Sequence, residues 1–540
     1  MAPVDLAIVN GRLWTGEAAR GDCSAVAVRG DRIVAVGSDA DIRSLVSPST
    51  EVIDANGASV LPGFVDAHNH VRLGFEGGDA DLTGATSLTD IRQRVARAAS
   101  RTSDRWIVAE GWNPTALAGR MPVAADLDGL AQDRPLFLIS FDVHSVWLNR
   151  QAMVELGIER GVDRLPFATV DVDPSTGTPT GLLRDFAVLG LAREGLAALE
   201  PLVPYYRKDR QYARLCASLD MAVRCGITTL VEPQNSPDDI ELFQRARREG
   251  RLHPRVVLGM MMQPGHEGDL AEFAALRGQL NDDRLSVGAV KLYADDVIEP
   301  HTAAFFEPYA NAPHTCGHTF WEQGALEDAV TEIERAGFPA FIHATGDRGI
   351  SAALDAFEAA RRRNGPGDRR HQVVHVECPR PADIPRFAEL GVVACMQPRH
   401  AAPELTGAWR ESVGPERARF AWPLRSLKRA GAVLALSSDW NVAEMDPLVG
   451  IFSALTRSSL DGGGAWATDQ TLDLDAALRG YTWGSAYSIF AENDRGILAP
   501  GRAADIVVLS EDLLRDPPSV SLDASVRLTV RAGEAVFTST

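Results

Sequence analysis

Two histidines stand one residue apart at the end of a predicted buried strand, in the stretch LPGFVDAHNHVRLG that begins at Leu61. Side chains at positions i and i+2 of a strand point to the same side, so His68 and His70 aim at one spot while Asn69 faces away. Two neutral imidazoles that converge on one point can bind a divalent metal. The alternative is a pair of hydrogen-bonded histidines without a metal, and this pair alone does not decide between the two.

Further residues with metal-binding or proton-transfer chemistry follow later hydrophobic runs. His343 lies near the end of PAFIHA, His375 lies in HQVVHVE, and Asp439 ends AVLALSSD. Four imidazoles and one carboxylate can hold two divalent metals if a further group bridges the ions. We expect zinc, although imidazole-rich sites also suit iron and manganese.

One lysine is the candidate bridge. Only three of the 54 basic residues are lysine, and Lys291 lies inside the hydrophobic run LSVGAVKLY. Burial lowers the pKa of an amine, and a neutral amine can add CO₂ to give a carbamate whose two oxygens bridge two metals. Arginine stays protonated and cannot react in this way. The alternative is an ordinary ion pair between Lys291 and Asp295 or Asp296.

Eight hydrophobic runs predict the strands that position these residues. Runs rich in Val, Ile and Leu are typical of parallel sheets buried on both faces. Amphipathic stretches such as ALEDAVTEIERAG lie between them and predict helices. The alternation predicts an α/β fold of the (β/α)₈ barrel type, with the candidate residues at the carboxyl ends of the strands. The predicted strands span residues 63–68, 226–232, 255–261, 285–293, 339–344, 371–377, 391–397 and 432–439.

Both ends of the chain consist of short strand-like segments and turns, which predict a second, all-β unit. We predict a composite β-sandwich from residues 1–60 and 499–540, and a barrel domain over residues 61–498. About 150 residues separate the first two barrel strands, far more than a usual connection. We therefore predict an inserted lobe over about residues 72–205, beside the active face.

Charge and composition narrow the function class. The net charge of −19 argues against nucleic acid or an anionic membrane as the main partner. The six cysteines show no C-x-x-C pair, which argues against a thiolate zinc site. The chain has no run of 18 apolar residues and no signal-peptide pattern at its start. We expect a cytoplasmic protein that acts on a small molecule, with a homodimer as a further expectation.

The motifs LPGFVDAHNH, VKLYADD, HATGD, VVHVE and LSSDW resemble, in this order, those of the amidohydrolase superfamily. More narrowly, they resemble its N-substituted formamide deformylase-like branch, also called YtcJ-like or amidohydrolase family 3. Similar segments from GWNPT to GILAPGRAADIVVLS extend the resemblance over nearly the whole chain. The resemblance implies a distorted TIM-type barrel with a composite β-sandwich, and a hydrolase that cleaves a C–N bond of an amide, N-acyl or N-formyl type.

The resemblance also implies roles for individual residues. A hydroxide held by the metals would attack the carbonyl carbon, and Asp439 would act first as base and then as acid toward the leaving nitrogen. The implied ligands are His68, His70 and Asp439 for the more buried metal, and His343 and His375 for the second, with carboxylated Lys291 between them. The candidate substrate contacts are Trp112, His144, Tyr293, His400 and Trp440.

Two positions depart from the pattern of the branch. Asp295-Asp296 replaces the usual Asp-Gly, and Trp440-Asn441 replaces a small residue followed by proline. Both pairs adjoin the expected site, so they bear on the choice of substrate.

Several alternatives remain open from the sequence. Within the superfamily they are a mononuclear deaminase and an N-acyl amino acid deacylase. Outside catalysis, the alternative is a metal-stabilised binding protein. His400 is either a substrate contact or a polar residue at a strand end. His314 and His318 lie four residues apart, but Pro313 and Gly317 predict a loop there rather than a third metal site.

Overall fold

Eight parallel strands, adjacent in chain order, form the central sheet of the computed structural model. All eight predicted barrel strands are confirmed. We number them β1–β8: Phe64–Asp66, Ile227–Asn235, Arg255–Met261, Leu285–Tyr293, Ala340–Ala344, Gln372–His375, Val393–Met396 and Leu434–Leu436. The structure describes residues 3–17, 23–74, 78–118, 120–131, 133–160, 162, 164–515 and 517–539.

The sheet closes into a barrel where β1 meets β8. β1 pairs with β2 in parallel, and on its other side the backbone N–H of Ala67 donates to the carbonyl oxygen of Leu436 at 3.5 Å. Just beyond the strands, the N–H of Asp439 donates to the carbonyl oxygen of His68 at 2.9 Å. The closure therefore brings together two segments that are far apart in the sequence, and both carry candidate metal ligands.

Helices cover the outside of the barrel and bury one face each. The helix Gln323–Arg335 buries Leu326, Val330 and Ile333, the spacing that the amphipathic pattern predicted. No helix within the described ranges is both long enough and apolar enough to cross a membrane. The α-helices span Asp39–Arg43, Leu88–Arg101, Arg150–Glu155, Phe186–Leu189, Arg193–Leu199, Lys208–Arg224, Ile240–Arg248, Leu270–Gln279, Gln323–Arg335, Asp347–Asn364, Ile384–Leu390, Gly407–Ala418, Leu424–Arg429, Pro447–Thr456, Leu474–Arg479, Ser485–Ser488 and Pro517–Asp523.

Short helical turns complete the connections between these elements. The 3₁₀ turns are Pro114–Leu117, Ala124–Leu127, Ile158–Arg160, Pro204–Tyr206, Pro237–Asp239, Glu267–Asp269, Pro398–Ala401 and Thr468–Gln470, and a π-helical turn spans Gly480–Gly484.

Two further sheets combine the two ends of the chain. A four-stranded sheet has the order Arg32–Gly37, Ala25–Arg29, Leu6–Val9, Glu51–Asp54. A five-stranded sheet has the order Arg12–Leu13, Ser59–Pro62, Ile506–Leu509, Val526–Arg531, Glu534–Thr538. One apolar cluster that includes Ile8, Val60 and Ile506 joins both sheets. The composite β-sandwich is thus present, while the exact domain boundaries remain predictions.

A separate seven-stranded sheet lies in sequence between β1 and β2. Its order is Arg164–Leu165, Ala168–Val172, Pro179–Arg184, Val146–Leu148, Leu136–Ser140, Ile107–Trp112, Ala80–Asp81. Different apolar clusters pack on its two faces, one around Phe137 and the other around Trp147. The inserted lobe therefore has a core of its own, and it contributes residues to the site described next.

Candidate metal and substrate site

His68, His70 and Asp439 converge where β1 meets β8. The Oδ1 atom of Asp439 lies 3.4 Å from Nε2 of His68 and 3.2 Å from Nε2 of His70. All three side chains are buried, and one nitrogen or oxygen atom from each lies within 4.8 Å of the others. Two imidazole nitrogens and a carboxylate oxygen in this arrangement are a typical ligand set for a catalytic zinc ion.

Asp66, at the end of β1, fixes the backbone on both sides of this cluster. Its Oδ2 accepts hydrogen bonds from Nδ2 of Asn69 at 2.8 Å and from Oγ of Ser438 at 2.6 Å. Its Oδ1 accepts from the backbone N–H groups of His68 and Ser438. Asp439 itself has a left-handed backbone, with φ of 57°, which is a conformation that stays only where surrounding contacts hold it. Asp66 thus couples the orientation of the two ligand-bearing segments.

Glu232, on β2, is a site residue that the sequence analysis did not single out. Its Oε1 lies 3.6 Å from Nδ1 of His70, and its Oε2 accepts a hydrogen bond from the backbone N–H of Arg72 at 3.1 Å. A carboxylate behind a metal-ligating histidine fixes its tautomer and ring orientation. The signal was present in the sequence, because the predicted strand GITTLVE has this residue as its one charged side chain, at its carboxyl end.

His343 and His375 lie side by side on the neighbouring strands β5 and β6, with ring centroids 4.4 Å apart. Nδ1 of His375 lies 3.7 Å from Oδ2 of Asp439, and Nε2 of His400 lies at the same distance from that oxygen. His375, Glu377 and His400 form a second group of possible ligand atoms. The structure therefore brings the four predicted histidines and Asp439 to one rim, and it adds Glu377, which the sequence analysis did not single out.

Lys291 is fully buried, and its Nζ has no hydrogen-bond partner among the described residues. Burial lowers the pKa of its amine to about 8. The alternative ion pair is not formed, since Asp295 accepts three backbone N–H bonds and Asp296 pairs with His144. A neutral amine is favoured where an ammonium group would be buried without a counter-ion. This environment is compatible with the predicted carbamate.

The protonation states of the rim residues follow from their burial and from the contacts that they make with one another. Burial, followed by the charge of Lys291, holds the pKa of His68 well below its ordinary value, and burial does the same for His375. Burial alone would raise the pKa of Asp439, but the hydrogen bond with His70 and the adjacent imidazoles hold it well below the ordinary value. Neutral imidazoles at His68 and His375 beside an ionised carboxylate suit metal binding. Burial opposes the protonation of His70, but its contacts with Asp439 and Glu232 raise its pKa, so metal binding there would displace a proton.

His144 reaches the rim from the inserted lobe, as predicted. Its ring centroid lies 5.6 Å from that of His343. Burial opposes its protonation, but the charge of Asp296 raises its pKa to about 9. His144 and His400 line a narrow pocket with a cavity volume of about 50 Å³ above His343, His375 and Asp439. A small polar group can therefore approach the rim between the lobe and the barrel.

The other predicted substrate contacts lie in three different places. Tyr293 lies at the rim, with its ring centroid 4.7 Å from that of His343 and its hydroxyl donating to Oε1 of Gln234 at 2.8 Å. Trp440 lines a neighbouring cavity rather than the pocket over the histidines. The prediction that Trp112 lines the pocket is wrong. Its buried indole packs in the core of the lobe and donates to the carbonyl oxygen of Leu138 at 2.9 Å.

His314 and His318 lie in a loop between β4 and the helix Gln323–Arg335, as predicted. Nε2 of His318 lies 3.6 Å from Oδ1 of Asp185. Neither histidine belongs to the two groups of possible metal ligands found in the described part of the chain.

Comparisons with known proteins agree with this geometry. The model of the amidohydrolase family matches residues 51–537. The protein YtcJ of Bacillus subtilis is 28% identical over 91% of this chain and 91% of its own length. The N-substituted formamide deformylase of Arthrobacter pascens is 25% identical over 94% of both chains. A crystal structure of an uncharacterized metal-dependent hydrolase from Pyrococcus furiosus superposes with a TM-score of 0.71 at 26% identity, over 94% of this chain and 100% of the other.

Proposed function

Because this chain belongs to the amidohydrolase family, we propose that it hydrolyses a C–N bond of an amide, N-acyl or N-formyl type in a small molecule. The likeness to a formamide deformylase supports this bond type. The observation that carries the proposal is the convergence of His68, His70 and Asp439 at the carboxyl ends of β1 and β8. Catalytic residues of such barrels lie at this face.

Unpartnered atoms in the rim support a site for two divalent metals. His68 Nε2, His343 Nδ1 and Lys291 Nζ are buried, and each has no hydrogen-bond partner in the described structure. Leaving such atoms unpaired costs about 1–3 kcal/mol each, a cost that metal coordination removes. We assign one ion to His68, His70 and Asp439. We assign the second to His343, His375 and carboxylated Lys291, with zinc as the proposed metal.

The chain's own residues would supply proton transfer and charge stabilisation. Bound divalent metals would lower the pKa of water and polarise the substrate carbonyl. The ionised Asp439 carboxylate can take a proton from the attacking water and deliver it to the leaving nitrogen, which is needed because an amide anion leaves poorly. The protonated His144, held by Asp296, lies where it can attract the negative charge that develops on the carbonyl oxygen.

The test combines metal analysis with a panel of small amides. Protein purified without added metal and protein supplemented with zinc would be assayed before and after treatment with a chelator. We expect two metals per chain, hydrolysis of at least one amide, and loss of both on chelation. A stoichiometry of one that does not rise on supplementation would favour the mononuclear alternatives. Two bound metals without turnover on any amide, N-acyl or N-formyl compound would favour a binding protein.

A further inference from the structure

The narrow pocket over the rim is lined by three carboxyl groups that the proposed hydrolysis does not use. Asp142 comes from the inserted lobe, Glu299 from the loop after β4, and Glu377 from the turn after β6. Among the described residues that line the pocket, none is a lysine or an arginine. The imidazolium of His144 also lines it, but this cation is already paired with Asp296. A ligand carboxylate would therefore be repelled here, whereas a ligand cation would be attracted.

Each of these carboxyl groups keeps at least one oxygen that accepts no hydrogen bond from another described residue. Glu377 is only 8% exposed; its Oε2 accepts from Nε1 of Trp409 at 2.7 Å, and its Oε1 accepts nothing. Oδ1 of Asp142 accepts from the backbone N–H of His144 at 3.1 Å, which leaves Oδ2 free. The carboxyl group of Glu299 is bonded only by its own backbone N–H. The pocket thus presents acceptors from three different segments and no matching donor.

His400 adds a ring nitrogen of the same kind. Its side chain is 10% exposed and lines the pocket, and its buried Nε2 has no hydrogen-bond partner within the described structure. The rings of Phe141 and Trp422 complete the lining. Aromatic rings attract cations over their faces, and unpaired buried acceptors are destabilising. A ligand group that carries a positive charge and several N–H donors would satisfy both kinds of wall.

The protonation of the carboxyl groups agrees with a missing cation. Burial, followed by the charge of Asp142, raises the pKa of Glu299 to about 7. Burial, followed by the charge of Glu299, raises the pKa of Glu377 well above its ordinary value. Buried carboxyl groups without a counter-cation behave in this way. A cation bound between them would supply the missing charge.

The size of the pocket limits what can carry the cation. Its volume is about 50 Å³, and a water-sized group needs about 10–15 Å³ of such space. The pocket therefore has room for a chain of about three or four non-hydrogen atoms. His343, His375 and Asp439 form its inner end, so a chain in the pocket starts beside the reacting group.

We propose that this pocket binds an ammonium group that the substrate carries on a short alkyl chain beside its scissile amide, with Asp142, Glu299 and Glu377 accepting its N–H bonds. The proposal rests on the proposed hydrolysis, because the same substrate places its carbonyl group at the metal ligands. The substrate class is therefore small, positively charged amides. Negatively charged amides of the same size are disfavoured by the same three carboxyl groups.

Binding of ureas, which resemble amides but resist hydrolysis, tests the pocket independently of catalysis. Calorimetry on zinc-supplemented protein at about pH 7, where an alkylamine is protonated, would compare N-(2-aminoethyl)urea, its neutral isostere N-propylurea, and 3-ureidopropionate. Hydrogen bonds to a charged group strengthen binding roughly 10–100-fold. We therefore expect the aminoethyl compound to bind about tenfold or more tightly than N-propylurea, and 3-ureidopropionate to bind most weakly. Equal binding of the aminoethyl and propyl compounds would overturn the proposal.

Matched variants locate the effect. Glu299→Gln keeps the size of the side chain and removes its charge, and it should reduce the preference for the aminoethyl compound by about fivefold or more. Asp142→Asn should reduce the preference in the same direction. Glu307→Gln, the same change at an exposed residue of the loop that carries Glu299, should leave it unchanged. An unchanged preference in both Glu299→Gln and Asp142→Asn would mean that the amine binds elsewhere, for example at the metals, and would refute the assignment.

A kinetic series separates this proposal from the proposed function. On the acyl side it compares β-alaninamide with its neutral isostere butanamide, and on the amine side N-(2-aminoethyl)acetamide with N-propylacetamide. In at least one pair, kcat/KM should be about tenfold or more higher for the charged compound in the wild type, and this ratio should fall in Glu299→Gln. Hydrolysis with equal kcat/KM within both pairs would leave the hydrolase function intact and refute the pocket assignment. Absence of hydrolysis together with a strong aminoethyl preference in calorimetry would refute the function and support the pocket.

Discussion

The barrel rim and the inserted lobe both bury carboxylates, but they treat the charge in opposite ways. On the rim, the hydrogen bond with His70 and the adjacent imidazoles hold the pKa of Asp439 well below its ordinary value, although burial alone would raise it. In the lobe, burial raises the pKa of Glu110 to about 8, although Tyr205 and Arg214 oppose the shift. The same functional group is therefore ionised in one region and protonated in the other. Burial alone does not identify a carboxylate as a candidate functional group, whereas direct contact with several imidazoles does.

The largest effect should come from Asp439→Asn. The change preserves size but removes the negative charge, one of the two carboxylate oxygens and the capacity to carry a proton. We expect kcat to fall by about 10³-fold or more, since general acid–base catalysis alone contributes about 10²–10⁴-fold. Steady-state kinetics on the best amide, with metal analysis, checks this. The matched control is Glu110→Gln, which should keep nearly full activity. Equal losses of kcat in both variants would show that the buried carboxylates of the rim and the lobe do not differ in function.

The next effect concerns Lys291. Lys291→Ala should lose the second metal and reduce activity at least 100-fold, because no carbamate can bridge the ions. A short carboxylic acid added in excess with zinc should restore part of the activity by supplying bridging oxygens. Lys291→Arg should be as inactive as Lys291→Ala, since guanidinium does not react with CO₂. An active Lys291→Arg enzyme with two metals would contradict the carbamate.

A smaller effect should follow from Glu232→Gln. This change keeps the shape of the group that supports His70 and removes its charge. Loss of such a supporting partner typically costs about 10–100-fold in metal affinity. Competition titrations with a zinc chelator would measure it. Unchanged zinc affinity would mean that Glu232 does not orient His70 for binding.

The smallest effect is on the pH dependence of stability. Because the folded-state pKa of Glu110 lies above its unfolded value, the stabilising contribution is complete below about pH 4.5 and is lost as the pH rises toward 8. Glu110→Gln should therefore increase the free energy of unfolding at pH 9 by about 1–3 kcal/mol relative to the wild type. At pH 5 the two proteins should be similar. Urea denaturation at both pH values tests this, and a variant that is less stable than the wild type at pH 9 would show that the fold does not disfavour the ionised carboxylate of Glu110.

The sequence predicted the rim better than the lobe for a physical reason. On the rim, His68, His343 and Asp439 each lie at or near the carboxyl end of a short strand rich in apolar residues, so the end of the apolar run marks them in the sequence. In the lobe, Trp112 and Glu110 lie on one strand whose residues are all buried. Because side chains on both faces of this strand are buried, the alternation of polar and apolar residues does not tell which of them face the barrel. The placement of Trp112 depended on how the lobe docks, and local sequence carries little information about docking.

Glu377 shows a different limit of sequence reasoning. It lies two residues after His375, but both residues around the strand end have left-handed backbone, with φ of 78° at His375 and 50° at Val376. The regular alternation of a strand does not extend through such a turn. The exclusion of nucleic acid rests on net charge alone, and both it and the homodimer stay predictions.

The closure between β1 and β8 has a consequence for how the protein is made. The hydrogen bonds between Asp66 and Ser438 join residues 372 positions apart in the chain. At a synthesis rate of about 5–20 residues per second, roughly 20–70 s pass on the ribosome between the first histidine pair and its carboxylate partner. A nascent chain at that stage presents His68 and His70 without Asp439. At the proposed site, secure metal retention would therefore wait until the last barrel strand has been translated, which would make metal loading a late event in biogenesis.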